Sequence, residues 1–373
     1  MWVDETPAAP RNRRKRTMEP LELSDSSSNS RRSFSDNILD NFTMKTKENE
    51  QVTVYGRTLL DNFQCVIGRG RYGHVDAMME PKTKLVMAIK RIRDSNDHQD
   101  VRYLEREIRA CRAAKDCPSL VTCYGIIKLE GDIWICMELM DTSIKRFYET
   151  CFDNQMIIPE FLLARIAYSV LEGLNFLAIK LKLMHRDVKP SNMLISRGAV
   201  VKVCDYGISG KLESQPVDQT INAGCPPYMA PERIDDKNPA YKRYDERSDV
   251  WSLGISLYEI STGTHPYDKW KNPFEQINQV VRSPAPRLPF SLPYSESFRN
   301  FVTLCLTHSF EHRPKYQSLQ NMDLIMKAQF SASKVNNAEN FTDQQDISMF
   351  VNQVLAAQEK TKELVLGSNS QST

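Results

Sequence analysis

The stretch His185-Arg-Asp-Val-Lys-Pro-Ser-Asn192 decides the fold, because these residue types at this spacing rarely arise by chance in an ordinary charged loop. Asp187 is placed to accept the proton of a hydroxyl group, which is the work of a general base. Lys189 can neutralise negative charge on a group in transfer. Asn192, five residues after Asp187, can ligate a metal ion through its amide oxygen. The stretch therefore predicts a group-transfer site with a metal.

Downstream, a carboxylate follows an apolar run. Asp205-Tyr-Gly207 comes directly after Val200-Val-Lys-Val-Cys204, and Asp205 is the expected Mg²⁺ ligand because hard cations prefer carboxylate oxygens. Glu232 of Ala230-Pro-Glu232 lies 27 residues after Asp205. We predict that Glu232 pairs with Arg313, a structural role rather than a chemical one.

Upstream, Ile67-Gly-Arg-Gly-Arg-Tyr-Gly-His-Val75 places Gly68, Gly70 and Gly73 after a predicted strand. Glycines allow the backbone to approach phosphates closely, although such glycines often mark only a turn. Lys90 then lies inside the apolar strand Val86-Met-Ala-Ile-Lys90 and needs an anionic partner, since an unpaired buried charge is costly. Glu107, on a predicted helix, can supply that partner, with Glu105 as the alternative; Lys90 would then hold the α- and β-phosphates of a nucleotide.

The order and spacing of these motifs together predict a protein kinase fold, that is, an α+β, bilobal architecture. Alternating sequence predicts strands at 63–67, 85–91, 120–126 and 133–139, with one helix at 99–114. From about residue 143 the pattern is helical, with helices expected at 163–177, 248–263 and 298–307. We predict an N-lobe over residues 59–140 and a C-lobe over 141–328, with an activation segment at 205–232.

Composition excludes several classes of protein. The 49 Lys plus Arg and 47 Asp plus Glu of the 373 residues give a net charge of +2, so we expect no nucleic-acid partner. The best candidate for a membrane helix, 162–179, is interrupted by Arg165, Glu172 and Asn175, so no membrane insertion is expected. Nine cysteines without a Cys-x-x-Cys pair favour reduced thiols, and hence a cytoplasmic protein.

Four stretches, 136–143, 187–192, 204–210 and 223–234, resemble the MAP kinase kinases, and the resemblance runs from about residue 60 to 325. It is strongest to the branch that activates stress-type MAP kinases. The resemblance implies a dual-specificity enzyme that uses MgATP to phosphorylate the Thr and the Tyr of a MAP kinase Thr-x-Tyr loop.

The resemblance also implies the roles of individual residues. The implied catalytic residues are Asp187, Lys189 and Lys90, and the implied metal ligands are Asn192 and Asp205. The implied nucleotide-binding residues are Ile67, Gly68, Gly70, Gly73, Val75, Ala88, Lys90, Glu107, Met137, Glu138, Met140 and Leu194, with adenine between Val75, Ala88 and Leu194 and a hinge at Glu138–Met140.

Both ends of the chain offer docking segments. Residues 1–58 are predicted to be a disordered arm, because the Ser-rich stretch behind a basic cluster does not offset its ordering entropy. Within 13–23, a basic cluster is followed by two leucines, a pattern that resembles a MAP kinase docking motif; its residues are Arg13, Arg14, Lys15, Arg16, Leu21 and Leu23. A basic patch that directs the protein to the nucleus is the alternative.

The tail, 329–373, carries a predicted amphipathic helix at 343–360 that resembles a segment binding an upstream MAP kinase kinase kinase. Docking back onto its own domain is the alternative for that helix.

The activation segment departs from its relatives. Thr220 matches the family's phosphorylated threonine. The family's phosphorylated serine lies four residues earlier, where this chain has Pro216, so Ser214, six residues before Thr220, is the weaker regulatory phosphosite. We expect phosphate on Thr220 to pair with Arg186. Tyr206 stands where relatives have Phe, and its hydroxyl needs a partner if it is buried.

Two other functions stay open: a Ser/Thr kinase of another cascade, and a scaffold that tethers a MAP kinase and its upstream kinase.

Overall fold

The computed structural model describes residues 19–20, 38–46, 49–70, 73–93, 98–206, 210–211, 225–234, 245–267, 272–333 and 341–369. The chain divides into two compact units, which are called here the first unit, Met1–Met140, and the second unit, Asp141–Thr373. The division falls where the sequence places the end of the small lobe. The predicted α+β class and bilobal division are confirmed by the sheet of the first unit and the helices of the second.

The first unit is built on a five-stranded antiparallel sheet and a preceding hairpin. Its elements are β1 (Glu19–Pro20), β2 (Asn41–Lys45), β3 (Gln51–Tyr55), α1 (Gly56–Asp61), β4 (Phe63–Gly70), β5 (Gly73–Glu80), β6 (Leu85–Arg93), α2 (His98–Ala114), β7 (Cys123–Leu129) and β8 (Asp132–Glu138). The large sheet has the strand order β4-β5-β6-β8-β7, and β1, β2 and β3 form a separate small sheet. Successive strands of the large sheet pair in antiparallel register, as the alternating sequence indicates.

The hairpin of β2 and β3 corrects the predicted arm. A disordered segment through residue 58 is wrong for the described residues from Leu39 onward, because Met44 and Val54 are buried in the core of the first unit. The backbone N–H of Lys128, on β7, donates to the carbonyl of Leu39 at 2.8 Å. A Cβ added to Gly125 would lie 2.1 Å from the ring of Phe42, so the hairpin packs closely on β7. The folded part of the first unit thus begins before residue 59.

The second unit is mostly helical. Its helices are α3 (Ile144–Asp153), α4 (Glu160–Phe176), α5 (Pro231–Ile234), α6 (Arg247–Thr262), α7 (Pro273–Arg282), α8 (Glu296–Cys305), α9 (Tyr316–Gln320), α10 (Asp323–Ser333) and α11 (Phe341–Asn369). Its short strands are β9 (Thr142–Ser143), β10 (Leu183–Met184), β11 (Met193–Ile195), β12 (Val201–Val203) and β13 (Gly210–Lys211). Local signals set several ends: Ser143 and Ser295 cap α3 and α8, and Gly263, with φ of 74°, ends α6.

The longest apolar helix lies inside the second unit. Among the described residues, one helix, Glu160–Leu181 with its π-helical last turn, is long and apolar enough to cross a membrane by length and composition alone. Arg165 and Glu172 therefore interrupt its apolar character less than the sequence suggests. Its apolar window is 72% buried within the fold, which is how a core helix packs. The length and the apolar composition of this helix are thus explained by its packing in the second unit.

The tail helix α11 also packs on the second unit. Ile347, Val351 and Val354 are fully buried, and the ring of Phe350 meets that of Phe147, on α3, edge-on at 6.1 Å. Gln358 donates from its side-chain amide to the carbonyl of Arg146 at 3.0 Å. The apolar face that the sequence offers to an upstream kinase is therefore covered by the protein's own α3, as in the alternative interpretation. The helix extends beyond the predicted 343–360 in both directions.

Candidate active site

One face of the large sheet carries the side chains predicted to meet a nucleotide. Val75 pairs across strands with Lys90, and Ala88 pairs with Met137. Directly paired residues share a face, and residues two apart on a strand do too, so these four side chains lie on the same face. Ile89 and Cys136 point to the opposite face, where the core under the hairpin lies. The sheet thus separates a structural face from the face with Lys90.

Lys90 is held by a carboxylate on α2. Its ammonium donates to Glu107 Oε1 at 2.7 Å, and both residues are buried. Helix α2 presents Glu107 because Leu104, Ile108 and Cys111, on its apolar side, are buried in the first unit. The alternative partner, Glu105, is exposed on the same helix. A buried charge-assisted pair of this kind fixes the lysine so that its ammonium is aimed in one direction.

The glycine-rich segment forms the end of the β4–β5 pair. Ile67 and Gly68 lie on β4, and Gly70 pairs with Gly73 at the tip. Gly73 has φ of 154°, and a Cβ there would lie 1.8 Å from the carbonyl oxygen of Arg91. A side chain at this position is excluded, so the tip requires glycine. The predicted hinge begins at Glu138, whose Oε1 accepts from the N–H of Thr122 at 2.6 Å, and Met140 is the last residue of the first unit.

In the second unit, two side chains of the motif His185–Asn192 surround one carboxylate, that of Asp187. Lys189 Nζ donates to Asp187 Oδ2 at 2.6 Å, and Asn192 Nδ2 donates to the same oxygen at 2.9 Å. Asn192 also donates to the backbone carbonyl of Asp187 at 2.8 Å. Leu194, predicted to contact adenine, follows on β11 and is half-buried. The structure therefore brings together three of the residues that the spacing selects.

The charges of this group reinforce one another. Burial lowers the pKa of Lys189, but the carboxylate of Asp187, followed by Cys225 and Asp205, raises it above its ordinary value. Asp205, just after β12, is therefore within electrostatic reach of Lys189. Its φ of 67° is unusual for a non-glycine residue and indicates a backbone held in place by its surroundings.

Two oxygens of the group fit a ligand. Within the part of the chain that the structure describes, Asn192 Oδ1 and Asp187 Oδ1 are buried oxygens without a hydrogen-bond partner. Buried polar atoms are nearly always satisfied, so each of these oxygens is suited to accept from something that binds there. No group of three or more His, Cys, Asp or Glu side chains in the described ranges could hold a metal ion by itself. Of the two oxygens, the amide oxygen of Asn192 suits Mg²⁺, which takes one or two protein ligands and completes its shell with phosphate and water.

Asp249, which the sequence did not single out as a functional residue, holds the backbone that precedes Asp187 in place. Asp249, on the first turn of α6, accepts from the backbone N–H groups of His185 and Arg186, each at 2.8 Å. Tyr316 donates its hydroxyl to Asp249 Oδ2 at 3.0 Å. The sequence shows an aspartate at position 249 inside a helical pattern, and in the structure this aspartate is buried. Its role is not evident from the sequence, because its partners lie more than sixty positions away.

Two further predicted contacts concern structure rather than chemistry. Glu232 and Arg313 form a buried bidentate pair with distances of 2.6 and 3.0 Å, as predicted. Tyr206 is buried, and its hydroxyl donates to the carbonyl of Val203 at 2.6 Å. The hydroxyl that replaces the family's Phe therefore has the partner that burial requires.

Several predicted residues lie outside the described residues. They are the regulatory positions Thr220 and Ser214 and the docking residues Arg13, Arg14, Lys15, Arg16, Leu21 and Leu23. Arg186, the expected partner of a phosphate on Thr220, is described: it is buried and has φ of 69°.

Comparison of the sequence with known proteins identifies its family. A model of the protein kinase domain matches residues 62–325. The chain is 44% identical over 306 residues to the dual specificity mitogen-activated protein kinase kinase sek-1 of Caenorhabditis elegans, covering 81% of this chain and 90% of that protein. It is 41% identical over 286 residues to the MAP kinase kinase mkk-4 of the same organism, covering 75% and 77%. It is 38% identical over 277 residues to the human dual specificity mitogen-activated protein kinase kinase 7, covering 74% and 65%. The chain is therefore an ATP-dependent protein kinase and belongs to the MAP kinase kinase family.

Proposed function

We propose that this enzyme transfers the γ-phosphate of ATP to the Thr and the Tyr of the Thr-x-Tyr activation loop of a stress-type MAP kinase. The observation that carries the proposal is the state of Asp187: Oδ2 accepts from Lys189 and Asn192, while Oδ1 is left without a partner among the described residues. A carboxylate held on one side and open on the other is arranged to accept a proton. Two relatives are dual specificity mitogen-activated protein kinase kinases, which supports both Thr and Tyr as acceptors.

The transfer forms one bond to phosphorus and breaks another. The hydroxyl oxygen of the substrate Thr or Tyr forms a bond to the γ-phosphorus, and the bond from that phosphorus to the β-bridging oxygen of ATP breaks. The proton of the hydroxyl goes to Asp187, and ADP leaves with the bonding electron pair. Lys189 offsets the negative charge that accumulates on the phosphoryl group, and its raised pKa keeps it protonated.

Lys90 and Glu107 would serve the nucleotide. With Glu107 as its partner, the ammonium of Lys90 is oriented toward the α- and β-phosphates. Asn192, through its unpartnered Oδ1, and Asp205 would hold Mg²⁺, which supplies charge neutralisation at the phosphate oxygens when it is bound.

Regulation by an upstream kinase is part of the proposal, with Thr220 as the main acceptor and Ser214 as the weaker one. Arg186, buried beside Asp187, is the cation for the added phosphate. Thr220→Ala should then abolish activation by an upstream MAP kinase kinase kinase. Activation of that variant to the wild-type level would show that the switch lies elsewhere.

Partner binding is assigned to the ends of the chain. The cations and leucines of 13–23 would recognise the MAP kinase. An upstream kinase that uses the tail would meet the exposed side of α11, which includes Asp346 and Met349, since the opposite side is buried. We also expect the protein to act in the cytoplasm, with no nucleic acid and no membrane insertion.

The test is to incubate the Thr220-phosphorylated enzyme with inactive MAP kinases of several classes and to map their Thr-x-Tyr loops by mass spectrometry. Two phosphates on a stress-type loop are expected. Phosphate on Thr alone would indicate a Ser/Thr kinase of another cascade, and no phosphate on any loop would favour a scaffold. Asp187→Asn is the matched control, because it keeps the size of the side chain and removes the base.

A further inference from the structure

The turn between β11 and β12 carries an arginine that pairs with two carboxylates far away in the sequence. Arg197 Nε lies 3.5 Å from Asp141 Oδ1, and its terminal Nη2 donates to Glu359 Oε1. The turn itself is tightly bonded, since the N–H of Ala199 donates to the carbonyl of Ser196 at 2.7 Å. Arg197 therefore extends from a fixed backbone and joins the start of the second unit to the tail helix α11.

Asp141 is the first residue after the predicted hinge, and it is bound at three points. Its backbone N–H donates to the carbonyl of Ile195 at 3.2 Å, and its Oδ2 accepts from the backbone N–H of Arg197 at 2.9 Å. The guanidinium of Arg197 approaches the other oxygen. Because the side chain of Asp141 is only 10% exposed, salt screens this attraction less than it would at the surface. The chain is thus fixed where it leaves the hinge.

The same turn belongs to the small sheet that carries a predicted adenine contact. β11 lies between β9 and β12, and Leu194 of β11 pairs with Ser143 of β9. Leu194 is three residues before Arg197, and β9 begins directly after Asp141. A displacement of Asp141 would therefore change the position of the end of the hinge relative to Leu194.

The tail helix α11 holds Arg197 from another side. Glu359 accepts from its guanidinium, and Asn352, two turns earlier on α11, donates to its backbone carbonyl at 3.3 Å. Val351 and Val354 of the same helix are fully buried, which anchors α11. The side chains of Arg197 and Glu359 are 42% and 44% exposed, so their pairing adds little to stability. Its main effect is to restrict the guanidinium to one orientation.

We propose that Arg197 is a positioning residue for the nucleotide: held by Glu359 of the tail helix, it fixes Asp141 and thereby the end of the hinge at which adenine binds. The tail helix thus contributes to the affinity for ATP without contacting ATP. The inference deepens the proposed function and rests on its assignment of the nucleotide site to the hinge and Leu194. It does not depend on which protein is phosphorylated.

The test compares Arg197→Gln, Glu359→Gln and their double variant with Arg57→Gln in the full-length enzyme. Arg57 is a matched control, because it forms an exposed ion pair with Glu130 at 3.6 Å in the first unit. For each variant, the Kd for MgADP is measured by titration calorimetry, kcat and the KM for ATP with an inactive MAP kinase, and Tm by scanning calorimetry. Hydrogen–deuterium exchange of the peptide 139–143, measured without nucleotide, reports directly on the end of the hinge.

One hydrogen bond corresponds to about a 3- to 10-fold change in affinity, so Arg197→Gln should raise the Kd for MgADP and the KM for ATP by that factor. It should also speed the exchange of 139–143 and leave kcat at saturating ATP within about twofold of wild type. Glu359→Gln should act in the same direction. Because it acts through Arg197, it should add nothing in the double variant. Tm should fall by less than about 2 °C in every single variant, the control included.

Two results overturn the proposal. One is an Arg197→Gln enzyme whose Kd for MgADP rises no more than that of Arg57→Gln, and the other is a double variant that shows the sum of the two single effects. A wild-type enzyme that binds MgADP but phosphorylates no MAP kinase overturns the proposed function instead, and the Kd values then still decide the role of Arg197.

Discussion

Replacing Asp249 with Asn tests whether the segment His185–Asn192 owes its shape to α6. Asp249 is 1% exposed and accepts from the N–H groups of His185 and Arg186 and from the hydroxyl of Tyr316. Asn has nearly the same shape, but one of its two terminal groups is a donor. In the orientation that loses least, that donor takes the place of Oδ1 and faces the N–H of Arg186. One hydrogen bond is then lost, and the other two, from His185 and Tyr316, lose their charge.

The magnitude follows from these contacts. A hydrogen bond to a charged group contributes about 1.5–3 kcal/mol, so the loss of one and the weakening of the other two should lower the free energy of unfolding by about 2–4 kcal/mol. For a unit of this size, each kcal/mol lowers Tm by about 2–4 °C, which gives a decrease of about 5–15 °C. His185 Nδ1 accepts from the N–H of Asp187 at 3.2 Å, so a displacement of His185 would also move Asp187, the proposed base. We expect kcat to fall by about 10- to 100-fold, that is, by about 1.4–2.8 kcal/mol of transition-state stabilisation.

The assay is calorimetry together with steady-state kinetics on an inactive MAP kinase. Asp245→Asn is the control: Asp245 is half-buried, and its nearest cations, Arg247 and Lys315, are 3.7 Å away, so its loss should change the free energy of unfolding by less than about 1 kcal/mol. An Asp249→Asn enzyme with wild-type kcat and a Tm within about 2 °C of wild type would refute the reasoning.

Three other outcomes follow from buried contacts. Lys90→Met should abolish kinase activity and also destabilise the first unit by about 3–5 kcal/mol in chemical denaturation, because it leaves Glu107 buried without its cation; adding Glu107→Leu should restore stability but not activity. Ile347→Ala, on the buried face of α11, should lower the free energy of unfolding by about 2–5 kcal/mol, whereas Met349→Ala, on its exposed face, should change it by less than about 0.5 kcal/mol; equal melting curves would contradict the packing of the tail. Since the pKa of Lys189 is raised, the stabilisation from its charge is fully present below its ordinary value of 10.5 and is lost only as the pH rises through the higher folded value. The pH–rate profile should therefore show no alkaline decline from Lys189 up to about pH 10.

The proximity of Asp187, Lys189 and Asn192 in the structure could be predicted because these residues are close together in the sequence. Asp187, Lys189 and Asn192 lie within six positions, and the structure brings them to one carboxylate. Asp249 could not be predicted in the same way, because its partners are defined by folding: its carboxylate is 64 positions from His185. A single sequence shows that an aspartate interrupts an apolar helix, but not which backbone donors it accepts from.

The hairpin before the kinase domain shows a second limit. Val52 and Val54 alternate with polar residues in the way that predicts a strand, yet the neighbouring Ser-rich and charged sequence favours disorder. The strand is stabilised by its surroundings: Met44 and Val54 are buried with Ile127 and Leu129 of β7. A five-residue strand gains that stability only from the sheet it covers, and composition averaged over the arm does not reveal it.

The tail helix shows why an apolar face alone does not identify a partner. Its sequence predicts a helix with one apolar side, and that pattern is the same whether the side is covered by a second protein or by the chain itself. Ile347 and Val351 are buried within the second unit, where α11 contacts α3 and α10, so this side is covered by the chain itself. Glu359 of the same helix pairs with Arg197, which also pairs with Asp141 at the start of the second unit. A partner that displaced α11 would have to replace both the apolar contacts and this ion-pair chain, so recognition through the exposed side, with the helix left in place, requires far less free energy.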